Sequence, residues 1–283
     1  MPLRMVFGFG DPPSRILPEL HRRINVASGE CPYLFQPIRL SLRDWERSYG
    51  IINSPDVLGC HFASPIDITL SPWLENLGHA ALSSGRINVV YKDNGKLVGE
   101  DAQLSGSLRA LQNSGFRIEG STVMMLGTSS EAQSLALSLS ELGMKQVLLL
   151  HHSVELVRAM AGTLKRGTPG LSVKIGSLLS ENIADLVYGV DLLICSLSPH
   201  DILELKLGAL PESVLAQLLI FDLGAKGSRA GGRLFADSTS ATHPLRYIDS
   251  ASLQYWQNSE CYRLWNRQDP PPQILQQVIA DTE

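Results

Sequence analysis

The most regular pattern lies in the middle third of the chain, where short apolar runs alternate with stretches whose apolar residues recur at helical spacing. Val123-Met124-Met125-Leu126 is a buried-strand pattern, and Gly127-Thr128-Ser129-Ser130 is a turn. Glu131 to Leu142 then predicts a helix, with Ala132, Leu135, Leu137, Leu139 and Leu142 apolar and Gly143 as its stop. A second strand, Gln146 to Leu150, leads to Ser153 as the N-cap of a helix over Val154 to Leu164. With further strands at Asp191 to Ile194 and Leu218 to Phe221, the alternation predicts an α/β fold: a Rossmann-like, doubly wound parallel sheet over residues 105–245. Residues 1–104 predict a separate N-terminal α/β lobe with strands at Met5 to Phe7, Tyr33 to Ile38 and Ile87 to Val90. Residues 246–283 are expected to complete that lobe, being helical from Ser252 to Ile279 apart from the break Asp269-Pro270-Pro271-Pro272.

Composition narrows the function classes. A chain of 283 residues with 44% hydrophobic positions has material for buried cores. Its net charge of -4, with basic residues clustered no further than pairs such as Arg22-Arg23, excludes a phosphate-backbone footprint, so no direct nucleic-acid partner is expected. The four cysteines, Cys31, Cys60, Cys195 and Cys261, have no ligand spacing, which argues against structural zinc and a disulfide framework. No stretch approaches the roughly 18 apolar residues of a membrane span, and the first residues do not read as a signal peptide. The expected location is the cytoplasm or nucleus.

Gly85-Arg86-Ile87-Asn88-Val89-Val90, followed by a hairpin and Gly99 to Gly106, resembles the GAVNTVV and GxNTDxxG segments of the shikimate/quinate dehydrogenases. Pro18-Glu19-Leu20-His21 is similar to the family's SPxLHN signature, Gly59 to Asp67 to GxNVTxPxK, and Gln257 through Tyr262 to Trp265 to QxxxxFxxW. Gly127 to Ala132 stands where the family has its GAGGAA cofactor turn. The register holds from near residue 8 to near residue 271. The resemblance makes the N-terminal lobe a substrate-type lobe and the second a dinucleotide-type lobe.

Against that family the functional positions are altered. The resemblance puts the catalytic lysine at Asp67 and the catalytic aspartate at Gln103, so the pair that would move a proton is an acid facing an amide. The two carboxylate-gripping serines fall on Arg15 and Leu17, and the asparagine and threonine of the next motif on His61 and Ala63. Arg15 is either a solvated surface arginine or a bidentate carboxylate partner, and His61 fits a satisfied, partly buried histidine better than a ligand contact. Asn88 and Gln257 stand where the family hydrogen-bonds ring hydroxyls, although Asn88 has an equally good reading as a backbone-satisfying residue.

In the cofactor turn Gly127 is kept, Ser129 and Ser130 replace glycines, and Glu131 brings a carboxylate to the first helical turn. The asparagine-arginine pair that recognises the 2′-phosphate of NADP is His151-His152, Ala225 replaces a tyrosine near the nicotinamide, and Cys195, expected to be an inert buried thiol, replaces an asparagine. No cofactor is expected.

Together these replacements imply a catalytically inactive member. The chain looks like the terminal, shikimate-dehydrogenase-like domain of fungal quinate-utilisation repressors, whose C-terminal half resembles the last domains of the pentafunctional AROM protein. That resemblance implies contact with a transcriptional activator protein of the quinate pathway, and sensing of a quinate- or shikimate-type metabolite. The alternatives are a divergent NAD(P)-dependent oxidoreductase, with Asp67 as general base near Asp101 or His61, and a scaffolding module that binds no small molecule.

Overall fold

The computed structural model describes residues 4–29, 33–41, 44, 50–63, 74–178, 183–197, 212–223 and 246–282. Asp67, Ala225 and Cys31 lie outside the described residues. The chain forms two compact units, Met1–Ser107 with Gln254–Glu283, and Leu108–Leu253.

The first unit holds a six-stranded sheet ordered β2-β1-β3-β5-β6-β4. Its strands are β1 (Met5–Gly10), β2 (Leu34–Arg39), β3 (Val57–Phe62), β4 (Asn76–Leu77), β5 (Val89–Asp93) and β6 (Lys96–Glu100). β2, β1 and β3 run parallel, whereas β5 pairs antiparallel with both β3 and β6. Helices α1 (Ile16–Ser28) and α2 (His79–Ser84) belong to the same unit, and α3 (Ala102–Asn113) carries the chain out of it. Phe9, Phe62, Ile87 and Val90 fill one core cluster, and Leu17, Tyr33, Val89 and Trp265 belong to another.

The second unit is a parallel sheet of six strands ordered β12-β11-β10-β7-β8-β9, which is the doubly wound topology. It comprises β7 (Thr122–Leu126), β8 (Gln146–His151), β9 (Ser172–Ser177), β10 (Leu192–Cys195), β11 (Leu219–Asp222) and β12 (Arg246–Ile248). The predicted strands are the central ones, buried on both faces, which is why they read as continuous apolar runs. Helices α4 (Ser130–Glu141) and α5 (Val154–Gly167) follow β7 and β8, each started by a serine that accepts a backbone N–H: Ser129 from Ala132, and Ser153 from Leu156. Gly143 sits just past α4 at φ +94, as its stop requires.

The C-terminal helices are α6 (Ser250–Asn266) and α7 (Pro272–Thr282), separated at the proline run. From Gln254 onward they belong to the first unit, where Trp265 Nε1 donates to the Val90 carbonyl at 3.1 Å.

Candidate functional site

The candidate residues of the first unit gather where β3 and β5 meet the start of α3. Asn88 immediately precedes β5, and its carbonyl accepts the Phe62 N–H at 2.8 Å, which brings it beside His61 at the end of β3. Its side chain is used at both ends: Nδ2 donates to Asp101 Oδ1 at 2.9 Å, and Oδ1 accepts the Ala102 N–H at 2.8 Å. Asp101 caps α3, its Oδ1 also accepting the N–H groups of Gln103 at 3.0 Å and Leu104 at 3.2 Å. Burial pushes the Asp101 carboxyl upward from its ordinary pKa, against hydrogen bonds from Ser84 and the α3 amides and the charge of Arg86.

Gln103 therefore stands in the first turn of α3 with its backbone fixed by Asp101. Its Oε1 is buried and has no hydrogen-bond partner among the described residues. One turn further along, Gly106 lies against α6. A Cβ at this position would come within 2.7 Å of both the N and Cα of Gln257, so the glycine allows the close approach that sets Gln257 beside α3. The structure thus brings His61, Asn88, Gln103 and Gln257 into one region. Arg15 is elsewhere: it is exposed at the start of α1 and lines a groove with Pro18, Arg22, Val26 and Phe35 that includes none of the other candidates.

Sequence reading treated Asp101 only as a neighbour of a general base and missed its capping role. The signal was available, since an aspartate immediately before a helix is a favoured N-cap. Glu100, likewise missed, accepts the N–H groups of Ala81 at 2.9 Å and Asp101 at 2.9 Å, and burial raises its pKa too.

In the second unit, Gly127 takes φ +98, and a Cβ there would collide with the side chain of Ser196. The turn it opens is tied down internally. Ser129 Oγ accepts Ala132 N–H at 3.2 Å, Gln133 Nε2 donates to the Thr128 carbonyl at 2.9 Å, and Ser130 Oγ donates to Glu131 Oε2 at 3.1 Å. At the end of β8, His151 Nδ1 accepts the Ser153 N–H at 2.9 Å, and His152 lies edge-on to it at 5.9 Å. Cys195 is fully buried, in register with Leu126 and Asp222. Asp222, 2% exposed, accepts Tyr247 O–H at 2.7 Å, a pairing not foreseen from sequence; burial and that carboxylate drive the Tyr247 pKa upward. Among the described residues no group of His, Cys, Asp and Glu is arranged to hold a metal.

No family model matches the chain. Among curated proteins it is 23% identical over 162 residues to a shikimate dehydrogenase (NADP(+)) of Alkaliphilus oremlandii, an alignment covering 57% of each chain. It is 25% identical over 255 residues to the shikimate dehydrogenase (NADP(+)) of Methanothermobacter thermautotrophicus, covering 87% of this chain and 85% of that one. Among solved structures, shikimate 5-dehydrogenase from Listeria monocytogenes, in complex with shikimate and NAD, superposes with a TM-score of 0.77 at 15% identity over 98% of this chain and 96% of that one. The dehydroquinate dehydratase and shikimate dehydrogenase portion of Schizosaccharomyces pombe AroM gives 0.79 at 15% identity, over 99% of this chain and 53% of that one. The chain is thus similar in sequence to shikimate dehydrogenases over most of its length, and it shares the fold of their solved structures over nearly all of it.

Proposed function

We propose that this chain is a shikimate-dehydrogenase-like domain that has lost hydride-transfer activity and serves in regulation. In this reading it is the C-terminal part of a quinate-pathway transcription repressor, in nucleus or cytoplasm. It contacts an activator protein and senses a quinate- or shikimate-type metabolite. The observation that carries the loss of activity is Gln103. An amide that cannot titrate occupies the start of α3, where the family resemblance expects the catalytic aspartate, while Asn88 is spent on Asp101 and Ala102. The Asp101 carboxylate, two residues before it, is engaged by backbone amides and by Asn88 as a helix cap.

The turn after β7 supports the absence of a dinucleotide. Ser129 takes the Ala132 N–H, and the Glu131 carboxylate stands in the first turn of α4, where a pyrophosphate would need positive potential. His151 accepts the Ser153 N–H, and a histidine here is a poor counterpart to a guanidinium fork for a 2′-phosphate. These residues fit NADP poorly.

The competing reading is a divergent NAD(P)-dependent oxidoreductase. The dehydrogenase names of its relatives favour it, as does the buried carboxyl of Asp101 with its raised pKa. An assay for reduced-nicotinamide formation with shikimate and with quinate, each against NAD and NADP, separates the two. Activity above background refutes the inactive reading. For the regulatory half, co-precipitation with the pathway's transcriptional activator, with and without quinate, is the test, and no complex in either condition refutes it.

A further inference from the structure

Each of the two sheets has two edges, and among the described residues three of these four are blunted. β4 has two residues and β12 three, too short to template a further strand. β2 has six, but its outward row is occupied or interrupted. The Leu34 N–H donates to the Arg4 carbonyl and the Leu40 N–H to the Gly10 carbonyl, so the even-numbered residues of β2 face β1 and the odd-numbered ones face outward. In that outward row the Tyr33 carbonyl takes Asn25 Nδ2 at 3.3 Å, Pro37 has no N–H, and the Pro37 carbonyl takes Gln36 Nε2 at 3.1 Å.

β9 is the exception. The Ser172 N–H donates to the Lys145 carbonyl at 3.2 Å and the Leu178 N–H to the His151 carbonyl at 3.3 Å, so its even-numbered residues are spent on β8. Val173 and Ile175 therefore turn N–H and C=O outward, with no hydrogen-bond partner among the described residues. No proline interrupts the strand. Ile175 is also 41% exposed, an apolar side chain beside unused main-chain donors and acceptors.

Charge selects the occupant. From Val154 to Leu178, α5 and β9 carry Arg158, Lys165, Arg166 and Lys174 against Glu155 alone, in a chain whose net charge is -4. α5 packs against β9, and its last turn, which holds Lys165 and Arg166, leads directly into the strand. Glu155 offsets Arg158, whereas Lys165 and Lys174 have no ion pair among the described residues. A second copy of this chain paired on the same edge would bring both sets of cations together, which disfavours it.

We infer that β9 is a docking edge that takes an extended, acidic segment of a partner protein as a seventh strand. Lys174 and Ile175 point to opposite faces of the sheet. The segment therefore alternates, with carboxylates on the Lys174 side and β-branched apolar residues on the Ile175 side. The edge lies within the second unit, and the inference holds whether or not the chain has lost hydride transfer.

The test is titration of the whole, 15N-labelled chain with a hexapeptide alternating valine and glutamate, read by NMR at the Val173 and Ile175 amides, with a valine–lysine hexapeptide for comparison. The acidic peptide should bind with a Kd of about 1 mM or tighter, and the basic one at least about tenfold more weakly. Ile175→Pro removes only an outward N–H, because the bonds to β8 come from even-numbered residues, and should weaken binding by about tenfold or more. Lys174→Glu should reverse the preference between the two peptides. Melting curves establish that each variant is folded; should Ile175→Pro fail to fold, a fully N-methylated acidic peptide, which cannot donate to the edge, is titrated into the native chain and should lose binding to the same degree. No saturable shift at about 10 mM peptide, native-like binding by Ile175→Pro or by the N-methylated peptide, or equal binding of both peptides overturns the inference. Sedimentation of the native chain as a dimer that Ile175→Pro dissociates overturns the choice of occupant in favour of a second copy.

Discussion

Asn88 and Asp101, thirteen residues apart across the β5–β6 hairpin, meet in a buried 2.9 Å hydrogen bond in which the amide donates to the carboxylate. Each is almost wholly excluded from solvent, at 3% and 2% exposure. The asparagine that resemblance offers as a substrate contact therefore has a complete structural occupation, because its Oδ1 also receives the Ala102 N–H. Asn88→Ala leaves a buried carboxylate short of a donor and should cost about 2 to 4 kcal/mol. Equilibrium urea unfolding measures it; an unchanged midpoint would show that the amide is not structural.

Gly106 offers a test with competing terms. In an exposed helix, Gly→Ala gains about 1 kcal/mol of propensity. Here the added methyl would sit 2.7 Å from the Gln257 backbone, and separating α3 from α6 should cost about 1 to 3 kcal/mol. Gly106→Ala should therefore be net destabilising in thermal unfolding, and a raised melting temperature would contradict the close approach.

The pH dependence of stability should carry the signature of His21. This ring is 3% exposed, stacks on Phe35 and Tyr262, and its Nδ1 shares a 2.8 Å hydrogen bond with the Tyr33 hydroxyl, whose oxygen also accepts from Asn266 Nδ2 at 2.7 Å. Burial lowers its pKa from 6.5 to about 3. The folded state keeps the ring neutral while the unfolded chain protonates below 6.5, so stability is full above that pH and is lost as pH falls. The slope should approach about 1.4 kcal/mol per pH unit once the unfolded chain is mostly protonated. Glu100 and Asp101, whose pKa values are raised, oppose it at lower pH, and Glu19, held at about 2 by Arg22 and Arg23, adds to it below the carboxylate range. The window from about pH 6 to pH 5 is therefore the one in which to compare native protein with His21→Phe, and equal slopes would refute the assignment.

The turn after β7 separates structural from ligand roles. Ser129→Ala removes the cap on Ala132 N–H and should cost about 1 kcal/mol. Glu131→Ala removes a carboxylate from the first turn of α4, and should strengthen NADP binding by roughly tenfold if that charge is what repels the phosphates. Unchanged NADP binding by Glu131→Ala would place the obstacle elsewhere.

What the sequence disclosed follows from burial. β7, β8, β10 and β11 are central strands and announce themselves as apolar runs. β9, at the sheet edge with residues such as Lys174 and Gly176, and the three-residue β12 carry no such signal. α1 has Arg15 at its N-cap position with no side-chain bond, and the serine that accepts the Leu17 N–H, Ser14, stands one residue earlier at 3.4 Å, so its beginning is weakly marked in the sequence. At the candidate site, Gln103 was readable from its place in a motif. The occupation of Asn88 was not, because its partner comes from across a hairpin, and the Tyr247–Asp222 bond joins two strands whose pairing only the fold reveals.

The most direct test of the central claim is calorimetric titration of the purified chain with NADP, NAD, quinate, shikimate and dehydroshikimate, paired with a dehydrogenase assay on the same sample. The account predicts cofactor binding at about millimolar strength or weaker, no turnover, and a binding signal from at least one metabolite. Micromolar cofactor affinity with measurable hydride transfer would contradict it, and would make Asp67 the first residue to replace.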